Sequence, residues 1–87
     1  KELAKALKGK AWSETYAGDK EIVFTIGSSG AVKAKLTTTD LNGKPYTATC
    51  STVLIPAADG TRYLVYFYFP PKSGKFPGFA GCSSTMF

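Results

Sequence analysis

Residues 21–36 read EIVFTIGSSGAVKAKL, two runs of alternating apolar side chains on either side of a Ser-Ser-Gly turn. A three-residue hairpin loop is a type I turn followed by a residue at positive φ, which Gly adopts at least cost. A loop at residues 28–30 sets only apolar residues opposite one another: Ile26 and Val32, Phe24 and Ala34, Ile22 and Leu36. A slip of one residue would set Phe24 against Lys33. The turn therefore predicts a hairpin with one buried face.

The same turn pattern recurs at Leu41-Asn42-Gly43 and at Ala58-Asp59-Gly60. The turn at Gly43 sets Leu36 opposite Ala48 and Ala34 opposite Cys50, which extends the buried face onto a further strand. The predicted buried face comprises Ile22, Phe24, Ile26, Val32, Ala34, Leu36, Tyr46, Ala48 and Cys50. Its reverse, which carries Thr25, Lys33, Lys35, Thr37, Thr47 and Thr49, is predicted to be solvated and partly basic.

Turn and breaker residues divide the chain into β-strands. The predicted strands are Ala11–Tyr16, Glu21–Ile26, Ala31–Thr38, Pro45–Ile55, Thr61–Phe69 and Phe79–Phe87. Pro70 and Pro71 end the fifth because neither can donate to a ladder. Leu3 and Leu7, spaced i, i+4, predict a short helical turn over Lys1–Lys8. The sequence thus predicts one all-β domain over residues 1–87, a small antiparallel barrel or two-layer sandwich of about six strands in a hairpin meander.

The fifth predicted strand is apolar on both faces, although a sheet with one wet side should alternate. A three-residue loop at Gly60 sets Leu54 opposite Leu64 and Thr52 opposite Tyr66. The other side of these strands then carries Val53, Ile55, Tyr63, Val65, Phe67 and Phe69. Tyr63, Phe67 and Phe69, with Arg62 at the edge, would form a binding patch if exposed. The alternative, which we favour, is that the N-terminal segment or the last strand, with Phe79 and Phe87, covers them.

Two cysteines, Cys50 and Cys82, form an even count in a small domain. This favours a disulfide and a secreted or extracytoplasmic location, the alternative being two buried thiols in a cytosolic protein. A disulfide that closes the loop between Cys50 and Cys82 would stabilise the fold by about 3–4 kcal/mol. If the last strand pairs with the fifth, Cys82 lies two strands from Cys50, too far to bridge within one sheet. A bond therefore requires a closed or two-layer structure.

The net charge of +5 favours acidic partners or serves solubility. Arg62 is the only arginine among the eleven cations, and arginine is the usual residue for bidentate phosphate contacts. Lys33 and Lys35 lie among threonines, without an aromatic residue on their face for base stacking. Nucleic acid is therefore the less favoured partner. No apolar run approaches the ~18 residues of a transmembrane helix, so we expect no membrane span.

The chain contains no histidine, which removes most serine and cysteine triads and most zinc sites. Glu14 and Glu21 could approach each other across the first hairpin. A glycosidase pair, however, needs carboxylates ~5–10 Å apart in a cleft, for which this domain has little room. Phosphate-loop, EF-hand and CxxC motifs are also missing from the sequence. We therefore expect no enzymatic activity, no cofactor and no metal site.

The segment Pro71–Gly78, PKSGKFPG, carries Lys72, Lys75 and Phe76 between prolines. A stiff exposed loop on a disulfide-bonded scaffold is how many protease inhibitors present the residue to be cleaved. Lys72 or Lys75 would suit a trypsin-like pocket. The alternative is a plain connection between two strands.

Gly9-Lys10-Ala11-Trp12 resembles the Gly-x-Trp motif that opens lipocalin and avidin-type barrels, with Trp displaced by one residue. Gly27-Ser28-Ser29-Gly30-Ala31, after the next strand, adds to the likeness. The resemblance implies a barrel, but those barrels have eight strands in a longer chain, so we transfer none of their ligand sites. The usual alternative for a lone Trp is a core residue.

The sequence favours an exported, non-enzymatic binding module that recognises a protein or glycan through the aromatic strand or the Pro71–Gly78 loop. A second hypothesis is a secreted inhibitor or effector that blocks a protease or another enzyme through Lys72 and Lys75. A third is a small barrel that binds single-stranded nucleic acid. An exposed apolar strand would also allow a homodimer.

Overall fold

The computed structural model describes residues 9–16, 18–27 and 30–85. Within these residues the chain forms β-strands alone, in the order β1 (Ala11–Thr15), β2 (Glu21–Ile26), β3 (Ala31–Thr39), β4 (Pro45–Val53), β5 (Ile55–Pro56), β6 (Tyr63–Phe69) and β7 (Phe79–Thr85). The predicted helical turn over Lys1–Lys8 lies outside the described residues. The all-β prediction is confirmed.

The strands form two antiparallel sheets that follow chain order. The first sheet is β1-β2-β3-β4, and the second is β5-β6-β7. Every neighbour in either sheet is also the neighbour in sequence, which is the predicted meander of hairpins. The two sheets face each other across one apolar core, so the architecture is an open sandwich and not a closed barrel.

The predicted register through the first two turns is confirmed. Ile26 pairs with Val32, and Phe24 pairs with Ala34. Across the next turn Leu36 pairs with Ala48. Gly30 and Gly43 have φ of 78° and 79°, the left-handed conformation that both turns require. The six predicted inner residues of β2 and β3 are buried, and Tyr46, Ala48 and Cys50 of β4 pack against them half-buried.

The predicted register at the third turn is wrong by one residue. Ile55 pairs with Leu64, and the Ala57 amide donates to the Arg62 carbonyl at 3.0 Å. The loop therefore has four residues, 58–61. The additional loop residue is Thr61. Its amide donates to Oδ1 of Asp59 at 3.0 Å, and this Asx turn stabilises the longer loop.

The predicted strand Pro45–Ile55 is broken at Leu54, where the chain leaves the first sheet and enters the second. The Leu54 amide donates to the Gly30 carbonyl at 3.0 Å, beside the first turn. From the next residue, Ile55, the chain forms β5, which pairs with β6 instead of with β3. This change of sheet makes two layers out of a continuous meander.

Aromatic rings of both sheets meet in the core. Phe67 of β6 lies with its ring centroid 5.8 Å from that of Phe24, in the first sheet. The Phe67 ring also contacts Tyr16, at 5.5 Å, and Phe79, at 5.7 Å. Phe67 and Phe69 are 4 % and 0 % exposed. Their face of β6 is therefore covered, as favoured from the sequence, but chiefly by the first sheet, which was not the predicted cover. Phe79 contributes as predicted, whereas the N-terminal segment and Phe87 lie outside the described residues.

Gly81 of β7 makes room for the Phe67 ring. The two residues pair directly across the sheet, and a Cβ built on Gly81 would lie 2.9 Å from the tip of that ring. An aromatic ring that covers a glycine on a neighbouring strand restores the packing that the missing side chain would have supplied. The small residue at position 81 thus belongs to the core packing.

We expect Gly81→Ala to lower the free energy of unfolding by about 1–3 kcal/mol, because the added methyl displaces Phe67 from a packed core. Gly27→Ala is the matched control, since its Cβ would meet only the Ala31 carbonyl oxygen at an ordinary 3.7 Å. Urea unfolding of both variants measures the difference. Equal losses would show that Phe67 does not lie over Gly81.

Candidate functional site

The two faces of strand β6 carry different kinds of side chain. Val65, Phe67 and Phe69 point into the core and are buried. Tyr66 and Tyr68 point away from the core and are 56 % and 60 % exposed. The strand thus carries aromatic residues on both faces, but the exposed rings of its outer face end in hydroxyls.

Neighbouring strands surround the two exposed tyrosines with small or aliphatic residues. Cys82 lies opposite Tyr66, and Ala80 lies opposite Tyr68. Ile55 of β5 lies opposite Leu64 and is 39 % exposed. We call this outer surface of the second sheet the tyrosine face, comprising Ile55, Leu64, Tyr66, Tyr68, Ala80, Cys82 and Ser84.

The tyrosine face carries no ionisable group other than its tyrosine hydroxyls and one thiol. Arg62 borders it, and its Nη1 donates to Oγ of Ser84 at 3.4 Å. The outer face of the first sheet is different, because it exposes Glu21, Lys33 and Lys35 among threonines. Protein interfaces are enriched in Tyr and Arg and depleted of Lys, Glu and Asp at their centres. The tyrosine face has that composition, and the outer face of the first sheet does not.

The patch predicted from Tyr63, Phe67 and Phe69 is corrected by the structure. Phe67 and Phe69 are buried, Tyr63 is half-buried, and Arg62 is exposed in the loop before β6. The prediction placed β6 beside β4 in one sheet, with Tyr66 and Tyr68 on the side of the buried Cys50. Because the loop at Gly60 is one residue longer than predicted, the register slips by one residue and the opposite side of β6 faces the core. The exposed aromatic side chains are therefore Tyr66 and Tyr68.

The Pro71–Gly78 segment is a turn held against the rest of the fold. Lys72 and Phe76 exchange backbone hydrogen bonds of 2.7 and 2.8 Å. Phe76 is 2 % exposed, and its ring stacks on Tyr46 at 4.9 Å. Lys72 and Lys75 are exposed. Of the residues predicted to bind through this segment, Phe76 is therefore part of the core, and the lysines remain on the surface.

The loop between β3 and β4 anchors this turn. The Leu41 amide donates to the Lys75 carbonyl at 2.8 Å, and Nδ2 of Asn42 donates to the Gly74 carbonyl at 3.3 Å. Asp40 organises the anchoring loop, because its Oδ1 accepts from the amides of Lys44 and Asn42. The bond from the Lys44 amide, with that from Asn42, lowers the pKa of the Asp40 carboxyl below its ordinary value.

Both cysteines are free, so the predicted disulfide is wrong. Cys50 lies on the inner face of β4 and is half-buried, whereas Cys82 lies on the tyrosine face and is exposed. The second sheet therefore stands between the two thiols. The two-layer structure expected to bring them together is present, but the inward residues of β7 are Gly81 and Ser83, not Cys82. The prediction of an exported location loses its main support and stays a prediction.

The acidic pair considered for catalysis is separated by the sheet. Thr15 pairs with Glu21, and Glu14 pairs with Ile22, so Glu14 and Glu21 lie on opposite faces. Among the described residues, no cluster of three His, Cys, Asp or Glu is placed to hold a metal ion. Glu14 and Glu21 therefore do not share one site.

A small polar cluster that the sequence did not reveal lies between β1 and β7. The hydroxyl of Ser83 donates to Oε1 of Glu14 at 3.2 Å and accepts from Nε1 of Trp12 at 3.3 Å. Burial raises the pKa of the neighbouring Tyr16 hydroxyl. Trp12 also stacks on Phe24 at 4.9 Å, the core position expected for a lone Trp. The two bonds of Ser83 join β1 of the first sheet to β7 of the second sheet.

A shallow groove of about 390 Å³ crosses the outer face of the first sheet. Its lining comprises Thr25, Gly27, Ala31, Val32, Lys33 and Ser51. Lys33 is its only charged residue, and the outward positions of β1–β4 include no aromatic side chain. The groove therefore lacks the stacking platform that binding of single-stranded nucleic acid requires.

Comparison with protein-family models, with curated proteins and with solved structures finds no match for this chain. In the part of the chain that the structure describes, no helix is long and apolar enough to cross a membrane.

We expect the two thiols of the native protein to react at different rates with a maleimide. Cys82 is exposed and should react first, whereas the half-buried Cys50 should react at least about tenfold more slowly, because it needs partial opening. Mass spectrometry of peptides after timed labelling measures both rates, and Cys82→Ser and Cys50→Ser assign the signals. Purified protein that lacks both free thiols until a reductant is added would contradict this arrangement.

Proposed function

We propose that this chain is a non-enzymatic binding module that recognises another protein through the tyrosine face. The observation that carries the proposal is the exposure of Tyr66 and Tyr68 on a strand whose other face is buried at Val65, Phe67 and Phe69. A strand in this position needs apolar residues on its inner face only. The outer tyrosines therefore contribute little to the core, which leaves recognition as their role.

Tyrosine suits such a surface for energetic reasons. Each ring can bury roughly 150–250 Å² on contact, and it loses the freedom of only two side-chain torsions. Tyr and Arg are also the residues that most often dominate binding energy at protein interfaces. Tyr66, Tyr68 and Arg62 lie on or beside one face, whose remaining residues are small or aliphatic.

A protein partner fits this face better than a glycan does. Sugar hydroxyls that lose water need hydrogen-bonding groups in return. Apart from the tyrosine hydroxyls, the face offers Ser84, whose hydroxyl already accepts from Arg62. Ile55, Leu64 and Ala80 instead supply aliphatic surface, which suits the side chains of another protein.

The inhibitor hypothesis is less well supported. The carbonyl of Lys72 accepts from the amides of Lys75 and Phe76, and the carbonyl of Lys75 accepts from the amide of Leu41. A protease needs the main chain around the cleaved residue to be extended and accessible. The tight turn around Lys72 and Lys75 offers neither, although both side chains are exposed.

Binders selected on the native protein test the proposal. Fragments from a displayed protein-fragment library would be selected on the native chain and then measured against Tyr66→Ser/Tyr68→Ser and against Thr47→Ser/Thr49→Ser. We expect the tyrosine variant to weaken binding about 30-fold, the loss of ~2 kcal/mol typical of a dominant interface residue. The threonine variant alters the outer face of the first sheet and should bind as the native protein does.

Thermal unfolding of both variants should remain close to that of the native chain, because the altered residues are exposed. The proposal fails if selected fragments bind both variants equally. It also fails if a glycan array yields ligands that need Tyr66 and Tyr68 while the fragment library yields none.

A further inference from the structure

The sandwich has four strand edges, and three of them are protected against pairing with another chain. The β5 edge is two residues long and ends in Pro56. The β4 edge begins at Pro45, and near its other end Oγ1 of Thr52 donates to the Tyr66 carbonyl at 2.6 Å, against β6. The β1 edge is five residues long and carries Glu14. Short length, proline, charge and cover are the usual devices that block edge pairing.

Within the described residues, the fourth edge, β7, is longer than β1 and β5 and carries neither proline nor charge; its bonds to the first sheet, from Ser83 to Glu14 and Trp12, lie on its inner side. It pairs with β6 through seven consecutive residues without a bulge. Its sequence, FAGCSST, contains no charge and no proline. Among the described residues, no strand pairs with its other side. A long, regular and uncharged edge of this kind presents a row of backbone donors and acceptors to an incoming strand.

We propose that β7 accepts an extended segment of the partner as an additional strand of the second sheet, next to the tyrosine face. This inference rests on the proposed function and specifies how the partner binds. Main-chain hydrogen bonds to the edge would supply affinity, and alternate side chains of the segment would supply specificity. Those on the outer side would lie beside Ala80 and Cys82, two small residues that separate them from the tyrosine rings.

The charges at the two ends of β7 indicate the chemistry of the segment. Nζ of Lys20 lies 5.5 Å from the centre of the Phe79 ring, at the start of the strand. Arg62 contacts Ser84 near its end. Asp19 lies near Lys20 and Asp59 near Arg62, but each carboxyl already accepts a hydrogen bond, from Thr38 and from Thr61 respectively. Glu14 lies on the inner side, where it is bonded to Ser83. A segment with an uncharged centre and acidic residues at both ends therefore complements this edge.

A second copy of this chain is a poorer occupant of the edge. Antiparallel pairing of two β7 strands would bring the start of one strand beside the end of the other, and hence Lys20 of one copy towards Arg62 of its neighbour. Each copy also carries a net charge of +5. Like charges opposed in this way disfavour the complex.

Nuclear magnetic resonance of the ¹⁵N-labelled full chain tests the inference with three synthetic peptides. The first is EETVTVTEE, the second has lysines in place of the glutamates, and the third has proline in place of the central threonine. We expect the first to slow exchange about tenfold or more at alternate β7 amides, those that point away from β6. It should bind about tenfold more tightly than the lysine peptide at low salt. The proline peptide should lose the protection, because it lacks a central donor and cannot continue the strand.

The possible outcomes separate this inference from the proposed function. Binding of the first peptide without alternate protection of β7 would overturn strand addition and leave recognition through the tyrosine face intact. No binding at millimolar peptide would overturn it as well, whereas the library experiment judges the face independently. If the β7 amides of the free protein become more protected from hydrogen exchange as the protein concentration rises, a second copy occupies the edge. That result would refute the proposal that a partner segment binds there. In Tyr66→Ser/Tyr68→Ser, alternate protection should persist at higher peptide concentration.

Discussion

The packing of Phe67 between the two sheets is the contact on which the rest of this structure depends. Its ring meets Phe24 of the first sheet, together with Tyr16 and Phe79. Gly81 leaves the space that the ring occupies. A domain of this size buries only about 60–65 % of the surface its unfolded chain exposes, so one central aromatic cluster contributes a large share of its stability. With Phe67 inside, the alternation of a strand places Tyr66 and Tyr68 outside.

The parts of the fold that local chemistry determines could be predicted from sequence. The turns at Gly30 and Gly43 each need one residue at positive φ, and only one register on either side of them pairs apolar residues throughout. That register is the one observed. The third turn could not be predicted in the same way, because both faces of β6 are apolar and a slip of one residue carries no hydrophobic penalty. There the bond between Asp59 and Thr61 determines the loop length.

The aromatic residues predicted from the sequence to form a binding patch lie on β6, but the exposed aromatic residues of this strand lie on its other face. The inward residues of β6 are valine and phenylalanine, whereas the outward residues at its centre are tyrosines, which keep a hydroxyl in water. This difference between Phe and Tyr was the available signal in the sequence. The change of sheet at Leu54 was not predictable from periodicity, because Val53, Leu54 and Ile55 are all apolar and mark no break in the strand. The prediction of a disulfide was wrong for a related reason. The pairing of the last strand with β6 does not by itself determine on which face of β7 Cys82 lies.

The orientation of β6 is tested most directly by the free energy of unfolding of two neighbouring variants, Phe67→Ala and Tyr66→Ala, measured in urea. The account predicts a loss of about 3–5 kcal/mol for Phe67→Ala, as for large buried aromatic residues, and less than about 1 kcal/mol for Tyr66→Ala. If Phe67→Ala does not fold, Phe67→Leu and Tyr66→Leu provide the same comparison with smaller losses. Equal losses at the two positions, or a larger loss at Tyr66, would contradict the account.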